Sequence, residues 1–104
     1  MADLKEWLEK SRLREEERMG AVYAECEKRG CDCDFARSFD ARAEFYPMKQ
    51  TLSFFEIPIS EERRAKCLKL WEIFLQVLIE KKPQHEKRAE WESCIALIQK
   101  KRSF

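Results

Sequence analysis

The segment from Ser60 to Glu80 most constrains the fold, because its pattern is that of a helix that is apolar on nearly all sides. Between residues 70 and 79, eight of ten residues are apolar: Leu70, Trp71, Ile73, Phe74, Leu75, Val77, Leu78 and Ile79. A surface helix keeps its apolar residues in one stripe, whereas a helix that is apolar all round is buried. The sequence therefore predicts a buried central helix at about 60–81, with Ser60 as its N-terminal cap.

A long first helix is expected at the start of the chain. Asp3 followed three residues later by Glu6 is typical of a helix start, and Gly30 after two basic residues is typical of a helix end. Its apolar residues form two patches separated by a charged stretch: Leu4, Trp7 and Leu8, and then Met19, Val22, Tyr23 and Cys26. We expect tertiary contacts at both ends to hold this helix.

A short second helix is predicted from Phe35 to about Phe45, capped by Asp34 and ended by Pro47, since the residue before proline avoids the helical conformation. Residues 48–55 fit either a short helix or an extended edge, and we favour the helix.

The last helix is predicted from an amphipathic stripe at i, i+3, i+4 and i+7, with Pro83 in its first turn. The stripe consists of Trp91, Cys94, Ile95 and Ile98. The predicted fold is all-α: one domain, residues 1–104, built as a small irregular bundle of four or five helices around the central one.

Composition excludes several classes of protein. The chain has 104 residues, the size of one domain, and its net charge of +1 provides no overall attraction to nucleic acid or to an anionic membrane. The longest apolar run is interrupted by Glu72 and Gln76 and is far shorter than the roughly 20 residues of a membrane span. We therefore expect no membrane-spanning segment.

The cysteines indicate a reducing compartment. There are five, an odd number, and no hydrophobic secretory leader precedes them. We expect an intracellular and most simply cytoplasmic protein. Whether Cys26, Cys31 and Cys33 form a disulfide or bind metal stays open at this stage. The interpretation that we favour is loop thiols at Cys31 and Cys33 and small buried side chains at Cys67 and Cys94.

No pattern in the chain predicts catalysis. His85 lies between charged residues and is expected at the surface, and no nucleophile motif, phosphate-binding loop or zinc motif is present. We therefore expect no catalytic residues, no cofactor, no metal and no enzymatic activity.

The aromatic residues indicate binding to another protein. Three Trp, seven Phe and two Tyr exceed what a bundle of this size must bury, and exposed aromatic patches with charged rims are typical of protein interfaces. We expect an adaptor or accessory subunit that binds a larger protein or itself. The predicted partner-binding residues are Trp7, Leu8, Phe54, Phe55 and Ile57, with Lys100, Lys101 and Arg102 as a basic rim.

Two alternatives remain at the level of the sequence. Residues 81–104 carry seven basic and three acidic side chains, so the chain is also compatible with a small basic-tailed domain that binds nucleic acid. An inhibitor or immunity-type protein would have the same sequence features as an adaptor.

Overall fold

The computed structural model describes residues 3–102, apart from the side chains of Ser11, Arg12, Glu15, Glu16, Arg18, Cys33 and Arg102. Within this range the chain is helical without any strand and packs as a bundle, which confirms the predicted all-α class. The helices are α1 (Leu4–Lys28), α2 (Cys33–Phe45), α3 (Pro47–Glu56), α4 (Glu61–Lys81) and α5 (Arg88–Arg102).

Helix α4 is the centre of the bundle. It packs against α1, α2, α3 and α5, and every residue from 70 to 79 is buried or half-buried. Ser60 caps it, because the Ser60 Oγ accepts a hydrogen bond of 3.2 Å from the Arg63 N–H. The predicted central helix is confirmed and is buried over residues 70–79, whereas residues 61–69 of α4 are exposed or half-buried.

Aromatic rings fill the core around Trp71. Its ring centroid lies 5.9 Å from that of Phe39, 5.7 Å from that of Phe54 and 5.8 Å from that of Phe74. The rings come from α2, α3 and α4, so one cluster joins three helices. Each large apolar side chain buried in this way stabilises the fold by about 1.5 to 3 kcal/mol.

Two buried indole groups also join helices by hydrogen bonds. Trp71 Nε1 donates to Thr51 Oγ1 at 2.8 Å, which connects α4 to α3. Trp91 Nε1 donates to the Ala43 carbonyl at 2.8 Å, which connects α5 to α2. Among the described side chains, no buried nitrogen or oxygen lacks a hydrogen-bond partner. The core is therefore apolar in bulk and fixed in register by a few polar contacts.

Helix α2 begins two residues earlier than predicted, at Cys33 and not at Phe35. Gly30 has a φ of 90°, the left-handed conformation expected of a glycine at a helix end. The cap of α2 is Asp32 and not Asp34: the Asp32 Oδ1 accepts a hydrogen bond of 2.9 Å from the Asp34 N–H, and Asp34 lies in the first turn. Two aspartates two residues apart both fit a cap, and α2 uses the earlier one.

The start of α5 also differs from the prediction. Pro83 precedes the helix, which begins at Arg88. Residues 82–87 form successive turns, in which the His85 N–H donates to the Lys82 carbonyl and the Arg88 N–H to the His85 carbonyl, each at 3.1 Å. In contrast, the predicted short helix at 48–55 is confirmed as α3, with Pro47 in its first turn.

Candidate functional site

The two ends of α1 have different environments. Met19, Val22 and Tyr23 are buried against the bundle, whereas Leu4 is 70% and Trp7 60% exposed. Helix α1 has 25 residues and is about 37 Å long, and the molecule measures 57 × 31 × 25 Å. The prediction of tertiary contacts at both ends is wrong for the N-terminal end, because α1 is too long to be covered by the helices that pack against its other half.

The exposed end of α1 has one apolar face, formed by Leu4, Trp7 and Leu8 and called the α1 face below. These residues are spaced i, i+3 and i+4, which places them side by side on a helix. Leu8 is also more than half exposed, at 53%. Asp3 caps this end by accepting a hydrogen bond of 3.3 Å from the Lys5 N–H. A contiguous exposed apolar face of this kind is typical of an interaction site.

The second predicted group, Phe54, Phe55 and Ile57, is divided by the structure. Phe54 is only 4% exposed, so the prediction that it forms an exposed binding surface is wrong. It faces the core and contacts Phe39 and Trp71, because α3 is helical and turns Phe54 inward. Adjacent residues of a helix point in directions about 100° apart, and Phe55 and Ile57 are accordingly half-buried at the edge of the bundle.

Phe55 forms part of a cleft where α3, α4 and α5 meet, called the α4–α5 cleft below. The cleft has a volume of about 240 Å³, with an apolar floor and charged residues at its rim. It is lined by Phe55, Glu61, Arg64, Ala65, Leu68, Ile98 and Lys101. An open apolar cleft with a few polar groups at its edge is the usual form of a binding site.

Two basic residues that line the α4–α5 cleft, Arg64 and Lys101, contact α3. Arg64 Nη1 donates to the carbonyls of Phe54 and Phe55 at 2.9 and 2.8 Å, so it binds the C-terminal end of α3. Lys101 Nζ lies 5.5 Å from the centroid of the Phe55 ring, within the range of a cation–π contact. Phe55 is therefore fixed in two ways: Arg64 binds its backbone carbonyl, and Lys101 lies over its half-buried ring.

Of the three residues of the predicted basic rim, only Lys101 is shown to line the α4–α5 cleft. Lys101 lines the cleft, Lys100 is exposed on α5, and the side chain of Arg102 lies outside the described residues. Phe104, which also contributed to the predicted aromatic excess, is outside them as well. Trp7 and Leu8 do not line this cleft, so the predicted residues belong to two separate surfaces.

The junction of α2 and α3 has exposed apolar residues that the sequence did not lead us to expect. Phe45 is 67% exposed, and Tyr46 and Leu52 are both 43% exposed. The exposure of Phe45 could have been predicted from helical periodicity. The buried side of α2 contains Phe39 and Ala43, and a residue two positions after Ala43 points away from that side.

Cys26 and Cys31 are neighbouring buried thiols at the end of α1. The Cys31 N–H donates to the Cys26 carbonyl at 2.8 Å. A hydrogen bond with Cys26 lowers the pKa of the Cys31 thiol, against the opposing effects of burial and of the Asp32 carboxylate. Because both thiols are closed off from solvent, they lack the exposure that reactive cysteines have.

The described side chains of the remaining cysteines do not form part of a metal-binding group. Burial raises the pKa of the Cys94 thiol, Cys67 is half-buried, and the side chain of Cys33 lies outside the description. Among the described residues, no group of three or more His, Cys, Asp or Glu side chains is placed to bind a metal ion.

His85 is more enclosed than predicted. It is half-buried, its ring stacks on that of Trp91 with centroids 4.6 Å apart, and its Nδ1 accepts a hydrogen bond of 3.0 Å from the Lys87 N–H. The adjacent cavity, between His85, Asp40 and Glu44, has a volume of only about 70 Å³. Ligand sites are typically several times larger. These contacts indicate that His85 covers the core and orders the turn before α5.

A comparison with protein-family models, curated proteins and solved structures finds no match for this chain. Within residues 3–102, no helix is both long enough and apolar enough to cross a membrane.

Proposed function

We propose that this protein is a non-enzymatic adaptor or accessory subunit that binds a protein partner, or a second copy of itself, through the α1 face. The observation that carries the proposal is the exposure of Leu4, Trp7 and Leu8 on one side of a helix end that the bundle does not cover. Helices often bind a groove in another protein through apolar residues at this spacing. Tryptophan is among the residues that contribute most to such interfaces.

The charge distribution favours this function over nucleic-acid binding. Of the basic residues after position 80, Lys87 pairs with Glu90 at 3.4 Å and Arg88 with Glu92 at 3.2 Å. Phosphate binding needs several cations free on one surface, and these pairs reduce the excess. The exposed lysines at the end of α5 fit the rim of a protein interface.

The state of the cysteines supports a reducing compartment for this function. Cys26 and Cys31 are adjacent and buried, and no disulfide joins them in the structure. Neighbouring cysteines in small secreted domains are usually joined as disulfides, so we place the protein inside the cell.

The test is a photo-crosslinking amino acid introduced at position 7 in the full chain, in its native cells. We expect a crosslinked product of one defined mass. The matched control carries the same amino acid at position 13, since Leu13 is also exposed, at 61%, but lies on the opposite side of α1. Equal products from the two positions, or none from position 7, would contradict the proposal.

A further inference from the structure

We propose that the α1 face of one copy binds in the α4–α5 cleft of a second copy, so that the protein assembles head to tail with itself. The inference rests on the proposed function and names its partner. Its basis is that one chain contains both an uncovered apolar helix end and an open apolar cleft, and that none of the α1 side chains that the structure describes lines the cleft of its own chain.

The dimensions of the two surfaces agree. The part of α4 that lines the cleft runs from Glu61 to Leu68, which is about 10 Å along the helix axis. The α1 face extends over slightly more than one helical turn, from Leu4 to Leu8, which is about 6 Å along the axis, so it fits within the length of the cleft. The cleft floor offers Phe55, Leu68 and Ile98 as apolar contacts, and its volume of about 240 Å³ leaves room for one large aromatic side chain. We place Trp7 there.

The charges of the two surfaces are opposite in sign. Residues 3–10 contain three acidic and two basic side chains, whereas the cleft rim has Arg64 and Lys101 against Glu61. The exposed Lys100 next to the cleft adds a further positive charge. Glu6 pairs with Lys10 at 3.8 Å and Arg64 with Glu61 at 3.4 Å within their own surfaces, so the difference is about one net charge of each sign. A difference of this size favours one orientation and contributes little affinity. An acidic helix end entering a basic cleft is thus favoured over two α1 faces meeting each other.

The two surfaces are different patches, so the contact is heterologous. Each copy offers one α1 face and one cleft, and such contacts form rings or open chains, whereas a symmetric dimer uses the same patch twice. The small size of the α1 face predicts weak association, which grows with protein concentration.

Analytical ultracentrifugation over a wide range of concentration tests the inference with two variants of the full chain. Trp7→Glu blocks the α1 face and leaves the cleft intact. Ala65→Glu blocks the cleft and leaves the α1 face intact, and both positions are exposed, so neither change disturbs the core. We expect each variant alone to associate at least about tenfold more weakly than the unchanged chain, and Leu13→Glu to associate normally.

Mixing the two variants gives the decisive result. The cleft of the Trp7→Glu chain and the α1 face of the Ala65→Glu chain are both intact, so an equimolar mixture should form a 1:1 dimer of two 12.6 kDa chains that grows no further. Circular dichroism confirms that each variant is folded. Complementation of this kind is not expected of a symmetric contact.

Other outcomes overturn the inference in distinguishable ways. If Trp7→Glu dissociates the assembly but Ala65→Glu does not, two α1 faces bind each other. If the crosslink from position 7 maps to residues 45–52 of a second copy, the surface at the α2–α3 junction is the receptor. If the unchanged chain stays monomeric while position 7 crosslinks a different protein, self-assembly is wrong and the adaptor function stands. If position 7 crosslinks nothing, both are wrong.

Discussion

The two halves of α1 belong to one continuous helix but differ in what covers them. In the C-terminal half, Val22 is 1% exposed and Cys26 is fully buried, whereas Trp7 in the N-terminal half is 60% exposed. Along an ideal helix, Leu4, Leu8, Val22 and Cys26 all lie on the same side. The apolar side that packs on the bundle therefore continues beyond it, interrupted by the charged residues in the middle of the helix.

An amphipathic pattern therefore predicts a helix with an apolar face but does not decide whether the chain's own bundle covers that face. A short helix without tertiary contacts is marginally stable in water. The N-terminal half is therefore held by its continuity with the docked half and by its own caps and ion pairs, such as that between Glu6 and Lys10 at 3.8 Å. We expect it to open locally while the bundle remains folded.

The largest difference in stability between the two regions is expected when one tryptophan in each is replaced. Trp71→Ala removes a fully buried ring from the aromatic cluster and should lower the free energy of unfolding by about 3 to 5 kcal/mol. Trp7→Ala removes an exposed ring and should change it by less than about 0.5 kcal/mol. Urea unfolding followed by circular dichroism measures both.

A large loss of stability in Trp7→Ala at low protein concentration would show that the N-terminal half packs on its own bundle. A loss that appears only at high concentration would instead agree with an intermolecular contact, because association stabilises the folded state by an amount that increases with protein concentration.

A smaller effect is expected at the polar contact between α3 and α4. Thr51 accepts from Trp71 Nε1 and donates to the Pro47 carbonyl, both at 2.8 Å. Thr51→Val keeps the shape but leaves the buried indole N–H without an acceptor, which should cost about 1 to 3 kcal/mol. Thr51→Ser is the matched control, since it retains the hydroxyl. Equal losses in the two variants would mean that packing, and not the hydrogen bond, matters at this position.

The features that the sequence predicted correctly are local ones. The run from Leu70 to Ile79 specified a buried helix because its apolar residues leave no side for solvent. Ser60 and Gly30 mark helix ends because the side-chain oxygen of serine and the left-handed conformation of glycine act within a few residues.

The features that the sequence did not predict depend on distant parts of the chain. Phe54 and Phe55 are equally apolar neighbours, and only the placement of α2 and α4 decides that Phe54 enters the core while Phe55 borders a cleft. Likewise, the cleft is lined by residues of α3, α4 and α5. The spacing of residues within one helix does not predict which residues of other helices will lie next to them.

The same type of cap substitution should have unequal effects in the two regions. Ser60→Ala removes the cap of α4 and should lower the free energy of unfolding by about 1 kcal/mol. Asp3→Ala removes the cap of the exposed half of α1 and should change global stability much less. Its effect should appear in hydrogen exchange as faster exchange of the amides in residues 4–10. Equal effects on global unfolding would contradict local opening of this half.

The smallest expected effects come from one ion pair in each region. Arg29, after α1, binds Glu80 at the end of α4, and this hydrogen bond raises the pKa of the Arg29 guanidinium. The Glu80 side chain is half-exposed, so Glu80→Gln should lower the free energy of unfolding by about 0.5 kcal/mol or less, an effect that added salt reduces.

Glu6→Gln breaks the pair with Lys10 within the uncovered half and should leave global unfolding unchanged, with only a local increase in amide exchange. Both substitutions remove one exposed carboxylate, so a difference between them reports whether the pair joins two helices or supports a single one. A salt-sensitive global loss in Glu6→Gln would show instead that the N-terminal half of α1 unfolds together with the bundle.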